Sequence, residues 1–244
     1  MVIIKKKQFF FTITEIWYGY KFRWGDLWLP VCYRGIWDMK QPFYFGVKKP
    51  TTTVILPLDK PVEDIYNNFF SDTRRAIRNA EAKGVQCYFH NDIKGFIEFY
   101  NDFAERKSLA TLDVKRMYEF TGEAWSYSYA TLNGEVLVAT SNIEDKDTGI
   151  VRGMQAGSVR LNENFVPKEI ANATKLLYYH NIRHFNKKGL KFYDFGGWND
   201  IPGLLAFKQS FGAYPINCLN YFSYTYYLKE KLQELIKFLK RKKH

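Results

Sequence analysis

Two chemistry-bearing side chains lie near a paired glycine late in the chain. The segment reads Tyr193-Asp-Phe-Gly-Gly-Trp-Asn-Asp200, and Lys208 follows on a short apolar stretch. Asp194 ends an apolar run, where a carboxylate either orients or deprotonates an amine or caps the glycine turn. Lys208 stands beside apolar residues, so its ammonium lies at a solvated edge or points into a cleft. A helix that begins after such a turn also offers unpaired backbone N–H groups to an anion or a carbonyl oxygen.

The spacing of apolar residues changes on either side of this turn and predicts a strand before it and a helix after it. Leu190 to Phe195 is dense enough in apolar residues for a buried strand, which the two glycines stop. Pro202 is suited to a first helical turn, and apolar residues then recur at helical spacing until Gly212. A glycine pair lets a ligand approach the backbone closely. We therefore predict substrate-binding residues at Gly196, Gly197 and Trp198, with a purely structural turn as the alternative.

A second candidate is a helix beginning near Ser71 and ending at Gly84. Its small and apolar residues (Ala76, Ile77 and Ala80) pack inward, whereas three arginines form a separate basic stripe (Arg74, Arg75 and Arg78). Such a stripe either binds an anionic substrate or is an ordinary solvated surface.

Two motifs in this order resemble one family. Tyr193-Asp-Phe-Gly-Gly197 followed by Phe207-Lys-Gln-Ser-Phe-Gly212, and upstream Ser71-Asp-Thr-Arg-Arg-Ala-Ile-Arg-Asn-Ala-Glu-Ala-Lys-Gly-Val85, resemble the FemABX-like branch of the GNAT acyltransferase superfamily. The resemblance implies that Lys208 is the cation near the donor ester or its leaving group. It also implies that Phe207 shapes the same pocket and that the arginines face a phosphate-bearing substrate.

The order of elements agrees with that resemblance. Three consecutive strands are predicted at 124–132, 135–143 and 149–156, the first two joined by Asn133-Gly134, followed by a long helix at 167–188. The predicted fold class is therefore α/β (α+β): a GNAT-like mixed, mostly antiparallel central sheet flanked by helices, with a reduced N-terminal half. The segment 157–166 lacks the glycine-rich loop of acetyl-CoA-binding relatives, which weakens the case for coenzyme A.

Three regions are predicted. Residues 1–85 form a strand-rich part with the arginine helix, 86–222 the acyltransferase core, and 223–244 a basic C-terminal helix whose apolar stripe packs on a core or, less simply, on a membrane surface. Within the first region, 18–24 and 27–33 read as a hairpin, and 35–50 as a long aromatic loop that lines an acceptor cleft or plugs a sheet edge. A further helix is expected at 114–120.

Composition excludes several classes. With 46% hydrophobic residues the chain can bury a core, and its apolar runs are shorter than the roughly 20 residues of a membrane span. The three cysteines are scattered and the four histidines show no ligand spacing, so neither disulfides nor a metal site is expected. The N-terminus has no signal-peptide pattern, and a cytoplasmic location is expected. A net charge of +11 favours a polyanionic partner.

The resulting functional hypothesis is a cytoplasmic acyltransferase similar to FemABX enzymes. It would move an aminoacyl or acyl group directly, in a ternary complex, to an amino group of a cell-envelope (peptidoglycan) precursor. No tightly bound cofactor is expected; the donor would be aminoacyl-tRNA or acyl-CoA, and the partners a small or lipid-linked amine, with tRNA and an acyl carrier protein as further candidates and no stable membrane insertion. The alternatives are an acyl-CoA or acyl-carrier-protein dependent N-acyltransferase of an amino sugar or metabolite, and a non-catalytic tRNA- or lipid-binding relative.

Overall fold

The computed structural model describes residues 2–8, 11–19, 24–37, 46–112 and 124–241. The chain divides into two compact units, Met1–Thr52 with Ile216–His244, and Thr53–Pro215. The regions predicted from the sequence, with boundaries after residues 85 and 222, do not coincide with these units. The arginine helix belongs to the larger unit, because it packs on the long helix that follows the central strands.

The described residues contain ten strands. In chain order they are β1 (Val2–Gln8), β2 (Phe11–Trp17), β3 (Val31–Ile36), β4 (Val47–Pro57), β5 (Gln86–Phe89), β6 (Trp125–Leu132), β7 (Glu135–Asp145), β8 (Ile150–Ser158), β9 (Phe192–Asp194) and β10 (Tyr214–Phe222).

Six α-helices accompany them within the same described ranges. They are α1 (Val62–Asn67), α2 (Ser71–Ala82), α3 (Ile93–Arg106), α4 (Pro167–Lys187), α5 (Pro202–Gln209) and α6 (Tyr224–Arg241). Short 3-10 helices lie at Trp24–Leu27 and Val159–Leu161. The helix predicted at 114–120 falls outside the described residues, as do residues 38–45 of the aromatic loop predicted at 35–50; of its remaining residues, 35–36 end β3 and 47–50 begin β4.

The larger unit has the strand order β4, β9, β8, β7, β6, β5. Strands β8 and β9 are parallel, and the other neighbours in this row are antiparallel. Asn133 and Gly134 join β6 to β7 with φ values of 53° and 85°, as the Asn-Gly pair predicts. The predicted mixed, mostly antiparallel sheet is therefore confirmed.

Side-chain alternation along the central strands explains the helices on both sides. Tyr129 packs with Phe96 and Ile97 of α3, whereas its neighbour Ala130 packs against the α4 side. Successive residues of a strand point to opposite faces, so one strand contributes to both cores. The central strands are consequently covered on one face by α3 and on the other by α4.

In the smaller unit, Trp24–Leu27 is a 3-10 helix at the place where the sequence predicted a hairpin between 18–24 and 27–33, and residues 20–23 lie outside the described part of the chain. Strand β2 pairs antiparallel with β1, but it pairs parallel with β3, from Thr14 with Val31 to Trp17 with Arg34. The backbone leaves β2 at Tyr18, whose φ is 62°, and passes through the 3-10 helix before returning. Aromatic density indicated strands here, but it carries no information about which strand pairs with which.

The C-terminal helix α6 also differs from the simplest expectation. Tyr226 is buried against Phe222, whereas Leu228 and Leu232 are 65% and 58% exposed, so core packing is wrong for these two leucines. None of the helices in the described ranges combines the length and apolarity that crossing a membrane requires.

Candidate active site

The Asp194 carboxylate holds together the end of β9 and the turn that follows. It is fully buried, and the register of the sheet places it beside Ile55 on β4 and Arg152 on β8. One oxygen accepts hydrogen bonds from the Gly196 N–H at 2.7 Å and from the Thr53 hydroxyl. The other accepts one from the Arg152 guanidinium at 2.7 Å. With both oxygens engaged, the geometry favours turn capping over deprotonation of a substrate amine.

The turn itself has an unusual backbone. Gly196 adopts φ +76°, and a Cβ there would lie 3.2 Å from a guanidinium nitrogen of Arg152. Asn199 and Asp200 also have positive φ values, 48° and 57°, without being glycine. Such conformations cost energy and persist only where the surrounding structure enforces them. The turn is therefore a backbone shape that its neighbours impose.

Lys208 supplies part of that enforcement. Its ammonium nitrogen donates hydrogen bonds to the carbonyl oxygens of Phe195, Gly196 and Gly197, at 2.7, 2.8 and 2.5 Å. The side chain is buried, and burial, together with the charge of Arg152, lowers the pKa of the ammonium to about 8. All three protons of the cation are engaged by backbone of the turn. The ammonium therefore lies neither at a solvated edge nor in the lining of a cleft, the two positions that the sequence left open, but is bound by backbone oxygens; its proposed catalytic role stays a prediction.

Strands β8 and β9 pair only from Ile150 with Phe192 to Arg152 with Asp194, and β8 continues to Ser158 after β9 has ended. A cleft lies beside the C-terminal end of β8 and is lined also by residues of α3, α4 and α5. The cleft has a volume of about 580 Å³. Its lining residues are Phe103, Lys107, Val138, Ala156, Gly157, Ser158, Arg160, Ile170, Ala171, Thr174, Lys175, Tyr178, Ile201, Gly203, Leu204 and Phe207. Most of them are apolar or small, so the cleft suits a ligand with an apolar portion.

Tyr178 of α4 lines this cleft and is held by aromatic contacts. Its ring stacks on Phe195 with centroids 5.6 Å apart and an angle of 18°. Phe207 meets it edge-on at 5.3 Å. Among the described residues nothing hydrogen-bonds to its hydroxyl, and burial raises its pKa to about 12. The ring is therefore fixed while the hydroxyl is available to a ligand.

The cleft is electropositive. Its lining includes Lys107, Arg160 and Lys175, and none of the described lining residues is acidic. Burial lowers the pKa of Lys175, and the nearby Arg75 lowers it further, whereas Asp72 opposes the shift. Cations around an apolar cavity favour a ligand that combines an anionic and an apolar portion.

The predicted arginines lie apart from the cleft. Arg74 donates to the carbonyl oxygens of Asn67 and Phe69, at 2.6 and 2.5 Å, and thereby fastens the connection before α2. Arg75 pairs with Asp72 on the surface, and Arg78 is exposed. Neither Arg74, Arg75 nor Arg78 lines the cleft with Phe207, and their role in substrate binding stays a prediction. Trp198 is half-buried against the core of the larger unit.

The two histidines of α4 have a packing role. His180 and His184 both stack on Phe89, with ring centroids 5.5 and 4.0 Å away. Burial, with smaller contributions from the neighbouring His184 and Arg183, lowers the pKa of His180 to about 4, so it is neutral at pH 7. Within the described ranges no three His, Cys, Asp or Glu side chains are grouped so as to hold a metal ion.

Sequence reasoning missed three side chains. Tyr178 lies four residues after Thr174 and seven after Ala171, and that helical spacing would have placed all three on one face of α4. Arg152, the partner of Asp194, and Lys175 carried no local signal, since each depends on contacts between elements distant in the chain.

The strand order, the parallel pair of β8 and β9 and the long α4 beside it make this a GNAT-like fold. A structure of FemX shares it, with a TM-score of 0.64 and 14% identity over 96% of this chain and 86% of that one. The structure of L-PGS from Bacillus licheniformis aligns with a TM-score of 0.57 and 12% identity, over 90% and 80% of the two chains.

A third similar structure is the C-terminal domain of a putative lysylphosphatidylglycerol synthetase from Agrobacterium fabrum. It aligns with a TM-score of 0.56 and 10% identity, over 91% of this chain and 80% of that one. No family model matches the sequence, and no curated protein matches it. The resemblance seen in the two sequence motifs is thus confirmed at the level of the fold.

Proposed function

We propose that this protein transfers an aminoacyl or acyl group from an activated ester to an amine, with both substrates bound at once. The observation that carries the proposal is the cleft beside the C-terminal end of β8, an apolar, electropositive cavity that Tyr178 lines. A binding cavity that holds a fixed proton donor can serve a reaction that expels an oxyanion.

The chemical step needs little from the protein beyond position and one proton. The amine nitrogen attacks the ester carbonyl, a C–N bond forms, and the C–O bond to the carrier breaks. The leaving oxygen takes the proton of the Tyr178 hydroxyl, and the amine proton is lost to solvent, from which the tyrosine is reprotonated. Burial raises the pKa of Tyr178 to about 12, so its hydroxyl keeps its proton at neutral pH and can donate it.

Strand β8, which borders the cleft, has a β-bulge at Met154. The register between β7 and β8 shifts so that Met154 has no partner between Gly153 and Gln155. A bulge redirects backbone groups and is frequent beside active sites. In this proposal the backbone of β8 beyond Met154 supports the acyl group.

Charge supports a phosphate-bearing donor. Lys107, Arg160 and Lys175 would contact its phosphates, while Phe207 and Leu204 pack on the acyl portion. We propose aminoacyl-tRNA as this donor and an amino group of a cell-envelope precursor, free or lipid-linked, as acceptor. A protein of similar fold is named a putative lysylphosphatidylglycerol synthetase, and that name refers to a lipid that carries an aminoacyl group. This agrees with the proposed donor and acceptor.

The first experiment measures donor binding to the purified protein. Thermal unfolding is followed with acyl-CoAs of increasing length, and retention of charged and uncharged tRNA is measured over a salt series. Tight, steeply salt-dependent binding of charged tRNA, without stabilisation by CoA, is the expected result. Stabilisation by acyl-CoA would instead identify a metabolite N-acyltransferase, and an acidic acyl carrier protein is the third donor to test.

A matched pair of variants assigns that binding to the cleft. Leu204→Trp fills the cavity, whereas Val166→Trp places the same ring on an exposed position (54%) outside it. Donor binding is expected to fall at least tenfold in the first variant and to persist in the second. Equal binding by both variants would show that the donor does not occupy this cleft.

A further inference from the structure

Large apolar side chains are exposed in two segments of the smaller unit. Around the first 3-10 helix, Trp24, Trp28 and Leu29 are 77%, 80% and 51% exposed. Along the first turns of α6, Tyr224, Leu228 and Leu232 are 53%, 65% and 58% exposed. The latter three are four residues apart, so they form one continuous ridge on the helix.

The two segments are neighbours. The hydroxyls of Ser223 and Thr225 both donate to the carbonyl oxygen of Leu29, each at 2.8 Å. The Ser223 N–H also donates to the carbonyl of Val31, which follows Leu29 closely in the chain. The exposed tryptophans and the start of the leucine ridge thus belong to one surface, which we call the Trp24–Leu232 face.

The segment that carries the leucine ridge is basic in sequence. From Tyr224 to the C-terminus the sequence has seven Lys or Arg residues and two Glu. Lys229 and Lys231 lie between Leu228 and Leu232 in the sequence of α6. The Lys229 ammonium lies 6.0 Å from the ring centroid of Tyr226, and the Lys231 ammonium lies 5.7 Å from that of Tyr227. Exposed leucines and tryptophans flanked by lysines are the composition of helices that lie in a membrane interface.

We propose that the Trp24–Leu232 face binds the surface of a membrane containing anionic phospholipids, with α6 lying in the headgroup region. The ridge would enter the acyl boundary, Trp24 and Trp28 would lie at headgroup level, and the lysines would pair with lipid phosphates. A second copy of the chain is the weaker choice of occupant, because it would bring two strongly basic helices together. This inference does not depend on the proposed acyl transfer.

The test is co-sedimentation of the full-length protein with vesicles. One set contains equal parts phosphatidylglycerol and phosphatidylcholine, and the other phosphatidylcholine alone. Strong binding is expected only to the first set, and it should weaken as salt is raised. Tryptophan fluorescence gives a second readout: on binding, emission should shift to the blue and acrylamide quenching should decrease, and both effects should shrink in Trp28→Phe combined with Trp24→Phe.

Variants assign the binding to the face. Leu228→Ser combined with Leu232→Ser should lower vesicle partitioning roughly tenfold or more. Leu109→Ser, an exposed leucine (48%) of the larger unit, is the matched control and should bind as the unaltered protein does.

Three outcomes would overturn the proposal: no sedimentation with anionic vesicles at low salt, equal loss of binding in Leu109→Ser, or a concentration-dependent dimer that the paired serine substitutions abolish while vesicles remain unbound. Donor binding and acyl transfer in solution would be unaffected by each of these results, so the two proposals fail separately.

Discussion

The Lys208 ammonium nitrogen lies 2.8 Å from the carbonyl oxygen of Gly196, and that glycine's own N–H is bound by the carboxylate of Asp194. A buried cation therefore binds the carbonyl group of Gly196, and a buried anion binds the N–H group of the same residue. Neither charge needs a substrate to be satisfied. The two residues with the strongest chemical signal in the sequence thus fix the turn that follows β9.

Replacement of Lys208 by methionine should destabilise the fold as well as slow any reaction. Three buried carbonyl oxygens would lose their donor, which costs about 2–4 kcal/mol in the free energy of unfolding. Urea unfolding measures this loss, with Lys187→Met, an exposed lysine of α4, as the control. A Lys208→Met protein as stable as the unaltered chain would contradict the structural role.

The pH dependence of Lys208 has a defined sign. Its pKa is lowered from 10.5 to about 8, so the ammonium is charged below that pH and neutral above it. Any activity that depends on the charged lysine should fall as pH rises through about 8. Because the unfolded chain holds this proton up to about pH 10.5, the stability of the unaltered protein relative to Lys208→Met should increase between these two values. Paired unfolding curves at several pH values check this, and a flat difference would refute the shifted pKa.

Removal of the Tyr178 hydroxyl should separate chemistry from packing. Tyr178→Phe keeps the ring contacts with Phe195 and Phe207, so stability should change little, whereas the rate should fall by about 10² or more if the hydroxyl donates a proton. Tyr179→Phe is the control, because its ring packs on Tyr66 and Phe69 instead. Single-turnover kinetics with saturating donor is the measurement. Equal rates in the two variants would remove Tyr178 from the mechanism.

Alanine at Gly196 should disturb the turn. The added Cβ would meet Arg152 at 3.2 Å in a backbone conformation with φ +76°, and we expect a cost of about 1–2 kcal/mol. Gly203→Ala is the comparison: it lies in α5, no heavy atom is within 4 Å of the place that its added methyl group would take, and alanine there favours the helix by about 0.5–1 kcal/mol. Opposite signs in thermal unfolding are the expected result, and a neutral Gly196→Ala would show that the turn is not constrained.

Local patterns predicted the elements of the larger unit well. The Asn133-Gly134 turn, the long helix after the three central strands and the helix that begins at Pro202 are where periodicity and turn chemistry indicated. Each depends on residues close together in the chain. The hairpin predicted between 18–24 and 27–33 is wrong at Trp24–Leu27, which is a 3-10 helix, for the opposite reason: β3 pairs with β2 and with β10, and β10 is distant from it in the chain.

The site was less predictable than the fold. Asp194 and Lys208 could be singled out because a charge within an apolar run is unusual. Their partners could not, since the Arg152 guanidinium and the three carbonyl oxygens are brought to them by sheet register and by the course of the turn. Tyr178 is one of 18 tyrosines; helical spacing places it on one face of α4 with Ala171 and Thr174, but the sequence does not show that this face lines a cleft.

Because β9 pairs with β8 only as far as Arg152, the rest of β8 has two kinds of backbone amide: those that face β7 and those that do not. Beyond Arg152, alternate residues of β8 face β7, while those between face the space from which β9 has departed. The first kind should exchange hydrogen with solvent slowly and the second quickly, without any unfolding. If the amides that do not face β7 exchange slowly once donor is added, the cleft is occupied. Hydrogen exchange in β8 therefore gives a direct measurement of donor binding.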